Sequence, residues 1–274
     1  MSSITDIIKS RTSWRTYSKE KLNKIDRAKL QDFIQKEIQT PFGAKPRFTI
    51  IDYESGEQRL GTYGFIKDAQ HFIAGAVNSQ VMCIEDYGYA LESIILKATE
   101  LGLGTCWLGG TFNKQGFTEA MSLIDGEMMP AITPIGYKSE RRGMEKIMRW
   151  AVKSRNRKPW NQIFYSKQMG TPLTKDQSGI FAMAFEMVRL APSASNGQPW
   201  MVILDEETVH FYHKGKTEYD VYRQLDMGIA FNHFELTMKE FGVNGVWSID
   251  NQTKDTAKSR YVASWCANVG FNLG

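Results

Sequence analysis

Part of this chain occurs twice. Set without a gap at an offset of 140, Asp86–Trp107 (DYGYALESIILKATELGLGTCW) faces Asp226–Trp247 (DMGIAFNHFELTMKEFGVNGVW). Asp86, Gly88, Ala90, Leu96, Glu100, Gly102 and Trp107 each meet their own kind, and Leu101 and Leu103 meet Phe241 and Val243. Each copy reads as a helix ended by a glycine, where positive φ is needed, followed by a short apolar strand. The upstream segments correspond more loosely. A helix over about 25–38 buries Leu30, Phe33, Ile34 and Ile38 at helical spacing, then runs through Thr40-Pro41-Phe42-Gly43 into the strand-like RFTIID. A second helix over about 177–190 buries Phe181, Phe185 and Val188, then runs through Ala191-Pro192-Ser193 into WMVIL. The proline after each helix favours a break, because it disfavours helical backbone at the residue before it.

The expected fold class is therefore α+β, with two similar halves of helix, strand, helix and strand in one chain. The halves are placed at 1–160 and 161–274, with a basic segment and RKPWNQIFY as the connector. PAITPIGY near Ile132 and RYVASW near Val262 are the matching late strands.

Composition narrows the class of protein. Of the 274 residues, 42% are hydrophobic and 23% charged, which is globular usage. No apolar run approaches the ~20 residues of a membrane span. The start, MSSITDIIKS, has neither a basic leader region nor a continuous apolar core, so no signal peptide is expected. Cys83, Cys106 and Cys266 are odd in number and widely spaced, which fits a reducing cytoplasm. The net charge of +4 is uneven: Lys138–Lys158 holds nine basic residues against Glu140 and Glu145, leaving the remainder at −3. That balance argues against general polyanion binding, and the basic stretch asks for a local explanation: a phosphate ligand, a nucleic-acid edge or a solvated connector.

Several familiar sites are excluded. His71, His210, His213 and His233 make no HExxH motif, and His210 and His213, three apart on a strand, point to opposite faces. There is no GxSxG elbow and no Walker-A loop. Gly102-Leu103-Gly104 lacks the third glycine of a dinucleotide fingerprint and follows a helix. No metal site is expected. Three other segments hold the polar inventory. Arg11-Thr12-Ser13-Trp14-Arg15-Thr16-Tyr17, after a short amphipathic helix starting near Ser3, offers two guanidinium forks with hydroxyls between them. Ala191-Pro192-Ser193-Ala194-Ser195-Asn196-Gly197-Gln198-Pro199-Trp200 has small and amide side chains that let backbone approach a flat polar ligand. Gly104-Thr105-Cys106-Trp107-Leu108-Gly109-Gly110 ends the first repeat with paired glycines. Taken singly, each also reads as an ordinary turn or helix end.

Together, RTSWRTY, APSASNGQPW and LGLGTCWLGG resemble the FMN-binding signature of the nitroreductase family, and RNRKP resembles its phosphate-contacting basic segment. Members of that family are typically homodimers with FMN at the subunit interface, and fused two-half relatives form a branch of it. The resemblance implies a pseudo-dimer in one chain, hence a monomer. It implies FMN held by Arg11, Thr12, Ser13 and Arg15, by Leu108, Gly109 and Gly110, by Arg155 and Arg157, and by Pro192, Ser193, Ala194 and Asn196. Ala194 stands where some members carry a serine. Arg15, Arg155 and Arg157 are expected on the phosphate and Arg11 at the pyrimidine edge; Trp107, Trp200 and Tyr17 are pocket candidates, with core packing the favoured role for the tryptophans. The implied activity is NAD(P)H-dependent, ping-pong reduction of nitroaromatic or quinone-like acceptors. No side chain is required as acid, base or nucleophile, so no catalytic residue is named. A sensing protein or a specialised flavin reaction is the alternative.

The repeat also bears on stoichiometry. With Pro41 set on Pro192, Arg11, Ser13 and Arg15 face Gln162, Phe164 and Ser166, and PSASN faces PFGAK. One composite site keeps its polar groups and the other lacks them, so one flavin per chain is expected.

Overall fold

The computed structural model describes residues 2–53, 60–140, 156–215, 219–250, 253, 255–256 and 258–268. The first turns of the chain are set by capping side chains. Helix α1 (Ile4–Ser10) starts where the Ser3 side chain accepts from the Asp6 N–H. Helix α2 (Lys24–Gln35) starts the same way at Asn23. It stops at Gln35, short of the expected Ile38, because Lys36 has extended backbone; Ile38 still packs against the core from outside the helix.

Strands β1 (Arg47–Asp52) and β2 (His71–Asn78) precede helix α3 (Cys83–Glu100). They are followed by β3 (Gly104–Thr105), α4 (Lys114–Ala120), β4 (Glu127–Met128) and β5 (Ile132–Gly136). The strands form an antiparallel sheet in the order β1-β2-β5-β3, with β4 also on β2. A second sheet takes β6 (Phe164–Ser166), β7 (Trp200–Asp205), β8 (Thr208–Lys214), β9 (Gly245–Ser248) and β10 (Ser259–Ala267). Its order is β6-β7-β8-β10-β9, antiparallel except for the β6–β7 pair. Its helices are α5 (Ala182–Leu190) and α6 (Val221–Glu240). The expected helix over 177–190 is α-helical only from Ala182. Its first part, Asp176–Phe181, is a 3-10 turn broken at Gly179, whose φ of 51° cannot continue a helix.

The two repeat helices, α3 and α6, cross at the repeat glycines. A Cβ on Gly88 would stand 2.6 Å from the Leu225 carbonyl oxygen, and one on Gly228 would stand 2.0 Å from the Glu85 carbonyl oxygen. Glu85 and Leu225 are themselves repeat partners, so the contact is reciprocal, as in a two-fold dimer. Only glycine lets both backbones approach this closely. The repeat that the sequence displays is therefore the contact that joins the halves. Among the described residues, no helix is long and apolar enough to cross a membrane.

Candidate functional site

A cavity of about 740 Å³ opens between elements of both halves. The chain leaves α1 through Arg11, whose N–H donates to the Ile7 carbonyl and whose backbone is extended. Ser13 then pairs with Thr105 of β3, and the Trp14 N–H donates to the Thr105 carbonyl at 2.7 Å. This short pairing lays Arg11, Thr12, Ser13 and Arg15 along one wall. Beyond β3, Leu108 pairs with Ile132, so Leu108, Gly109 and Gly110 form the adjoining wall.

The second half contributes Pro192, Ser193, Ala194 and Asn196 from the loop after α5. Ser195 and Asn196 are left-handed there, with φ of 50° and 56°, a conformation that must be held from outside. Ser193 Oγ accepts from the Gln198 N–H at 2.8 Å, and Asp226 Oδ1 of α6 accepts from the Ala194 N–H at 2.8 Å. Lys158 Nζ donates to the Gly197 and Gln198 carbonyls, both at 2.7 Å. Arg157 donates to Asn196 Oδ1 at 3.2 Å and to the Leu190 carbonyl at 3.0 Å, and it also lines the cavity. Every candidate binding residue thus meets at one cavity except Arg155, which lies outside the described residues, as does most of the basic stretch (141–155).

The cavity is crowded with positive charge. Arg11 is buried, and its Nε and Nη1 make no hydrogen bond among the described residues. Burial, then the Arg11 and Arg189 guanidiniums, push Arg157 down to about 10. Two like charges held together in a partly dry cavity favour an anionic ligand. Asp226 lines the same cavity, and burial pushes its carboxyl up to about 8. A carboxyl so raised is largely protonated near neutral pH, and it does not offset the two arginines.

Behind Arg11 lies a buried polar cluster. Glu92 of α3 and His233 of α6 are completely buried, with Oε1 and Nε2 2.9 Å apart. Trp107 Nε1 donates to Glu92 Oε2 at 2.7 Å, and Arg11 Nε is 3.7 Å from Oε1. Trp107 also lines the cavity. Trp200 and Tyr17 do not: Trp200 is a buried core residue on β7, and the Tyr17 hydroxyl donates to the Trp14 carbonyl.

Sequence reasoning missed Glu92, His233 and Asp226, which read as ordinary positions on long helices. It also missed Phe65 and Tyr222, large exposed rings at the cavity. Tyr222 lies so close over the paired glycines that a Cβ on Gly109 would stand 2.5 Å from its ring. The paired glycines were the available signal, since backbone without side chains there implies a flat group against it.

Residues 3–238 match the family model described as "Putative TM nitroreductase". A structure described as a nitroreductase of Thermotoga maritima superposes over 97% of this chain and 93% of its own, at 20% identity and a TM-score of 0.62, so the two share a fold. An FMN-dependent nitroreductase of Clostridium difficile matches at 23% identity, covering 50% of this chain and 88% of its own, with a TM-score of 0.42. A nitroreductase with bound FMN from Bacteroides fragilis matches at 15% identity, covering 52% and 91%, with a TM-score of 0.41. No curated protein sequence matches the chain. With the family model spanning most of its length, the chain belongs to the nitroreductase family.

Proposed function

We infer that the chain binds one FMN in the cavity between its halves and is a flavin oxidoreductase that takes hydride from NAD(P)H and reduces a small nitroaromatic or quinone-like acceptor. The observation that carries this reading is the pair of guanidiniums, Arg11 and Arg157, on a cavity wall that continues into Gly109-Gly110, over which the Tyr222 ring lies. The residues fit the group. N–H donors of a buried arginine that make no hydrogen bond among the described residues suit a phosphate ester, which carries about −1.5 to −2 charge at neutral pH. Glycines suit a planar ring.

In this reading Arg11 and Arg157 hold the phosphate and Arg15 serves the polar edge of the ring. That exchanges the roles which the family resemblance implies for Arg11 and Arg15, because the cation crowding Arg157 is Arg11. Thr12 and Ser13 lie between the two arginines in sequence and serve the ligand's middle. Lys158, Ser193 and Asp226 hold the loop of the second half in its left-handed form. Phe65 and Tyr222 offer exposed ring surface to a nicotinamide or an aromatic acceptor. Bound FMN would supply the hydride chemistry, and the protein supplies position, charge and shelter from water.

The test is spectroscopic. Purified protein should be yellow, release FMN on denaturation, and lose its flavin absorbance when mixed anaerobically with NADH or NADPH. A flavin that neither nicotinamide bleaches would favour a sensing role.

A further inference from the structure

The hydrogen bonds around His233 fix the position of one proton. His233 Nδ1 is 2.9 Å from the Met187 carbonyl oxygen. A carbonyl only accepts, so Nδ1 carries a hydrogen. His233 Nε2 is 2.9 Å from Glu92 Oε1, at zero exposure for both residues. An ionised carboxylate and a bare ring nitrogen would press lone pairs together at that distance. A second proton therefore sits between them, and wherever it resides, Glu92 and His233 together carry no net charge.

The consequence falls on Arg11. Among the described residues, Glu92 alone lies within ion-pair distance of it, at 3.7 Å and without a hydrogen bond. A solitary carboxylate there would cancel the guanidinium. With His233 supplying the proton, Arg11 keeps its charge although it is buried, and a buried unpaired charge favours an incoming counter-ion. Among the described residues, the other groups hydrogen-bonded to the pair are the Trp107 indole and the Met187 carbonyl, both neutral, and Arg157 is a cation that feels the Arg11 charge.

The repeat supplies an internal control. At the offset of 140, Glu92 corresponds to Asn232 and Ser93 to His233. The mirror contact exists: Asn232 Nδ2 donates to Ser93 Oγ at 2.6 Å. The same crossing is thus built twice, once neutral and once from ionisable groups. The ionisable version is the one beside Arg11.

We propose that Glu92 and His233, one from each half, are positioning residues that share a single proton and so leave the Arg11 charge to the anionic group of the cavity's ligand. The identity of that group as the FMN phosphate rests on the function inferred above.

Fluorescence titration of apo-protein with FMN and riboflavin tests the electrostatic claim. His233→Gln leaves Glu92 ionised beside Arg11, and FMN affinity should fall by about ten- to hundred-fold, the weight of a charge-assisted hydrogen bond. Riboflavin affinity should hold. Glu92→Gln should bind FMN as the parent does, and adding it to His233→Gln should restore the loss. A loss in Glu92→Gln equal to that in His233→Gln, or no restoration in the double variant, would overturn the proposal. The unaltered protein gives a second test that does not depend on the variants folding. Nitrogen-15 and carbon-13 NMR should find either an imidazolium ring at His233 or a protonated carboxyl at Glu92. A neutral ring facing an ionised carboxylate would overturn it. If the parent protein binds neither flavin, the FMN reading fails while the NMR result still decides the shared proton.

Discussion

The loops that Asp86 and Asp226 hold in the two halves differ in what they face. In the first half, Asp86 of α3 accepts from the Phe42 N–H at 3.0 Å and the Ala44 N–H at 2.8 Å, engaging both carboxylate oxygens. In the second, its repeat partner Asp226 accepts from the Ala194 N–H through Oδ1, and Oδ2 has no hydrogen bond among the described residues. Burial pushes Asp86 up to about 6 and Asp226 up to about 8, the smaller rise going with the carboxylate that has more N–H donors. The contents of the two loops differ as well. Phe42 turns into the core, 6.0 Å from Phe231 and 6.3 Å from Trp247, where Pro192–Asn196 faces an open cavity. Among the described residues, the second-half loop lines a cavity, and the first-half loop carries an aromatic ring packed against the core.

The largest expected effect comes from the crossing that both halves share. Gly228→Ala places a methyl 2.0 Å from the Glu85 carbonyl oxygen, and backbone cannot yield as a flexible side chain would. We expect a loss of about 3 kcal/mol in urea unfolding, the upper range for overpacking, with Gly88→Ala losing less because its approach is 2.6 Å. Equal and negligible losses would break the reciprocal-contact account.

Next comes the asymmetry of charge. Arg11→Ala should weaken FMN binding by about ten- to hundred-fold and riboflavin binding far less, since a charge-assisted hydrogen bond contributes roughly 1.5–3 kcal/mol. Arg157→Ala should follow the same pattern. Equal losses for the two flavins would move these arginines off the phosphate.

The smallest effect sharpens the comparison of the two aspartates. Each has a folded pKa above its unfolded value, so the folded state holds the extra proton and stability declines as pH rises between the two values. For Asp86 the decline ends near pH 6, and for Asp226 it continues to near pH 8. Asp226→Asn should therefore flatten the stability profile between pH 6 and 8 in thermal melts, whereas Asp86→Asn should leave that interval unchanged. A parent profile already flat over that interval would contradict the assignment.

Much of this was legible in the sequence because it is written locally. The helix-glycine-strand unit shows at Asp86–Trp107 and again at Asp226–Trp247, whereas the crossing at Gly88 and Gly228 shows only in the fold. The three polar segments likewise carry their residues within a few positions of one another. What stayed hidden depends on contacts between distant segments. Glu92 and His233 are 141 positions apart on helices whose pattern says only that they are buried. Tyr222 reads as an ordinary first-turn residue until α6 brings it over Gly109. The break at Gly179 is hidden in the sequence because the apolar spacing of Phe181, Phe185 and Val188 persists downstream of it while the backbone changes direction.

Counting flavin tests the central claim, one surviving cavity in a two-half chain, most directly. Protein reconstituted with excess FMN, freed of unbound ligand and then denatured, should release one FMN per chain. A value near two would mean that the loop holding Phe42 also binds flavin, and the contrast between the halves would be wrong.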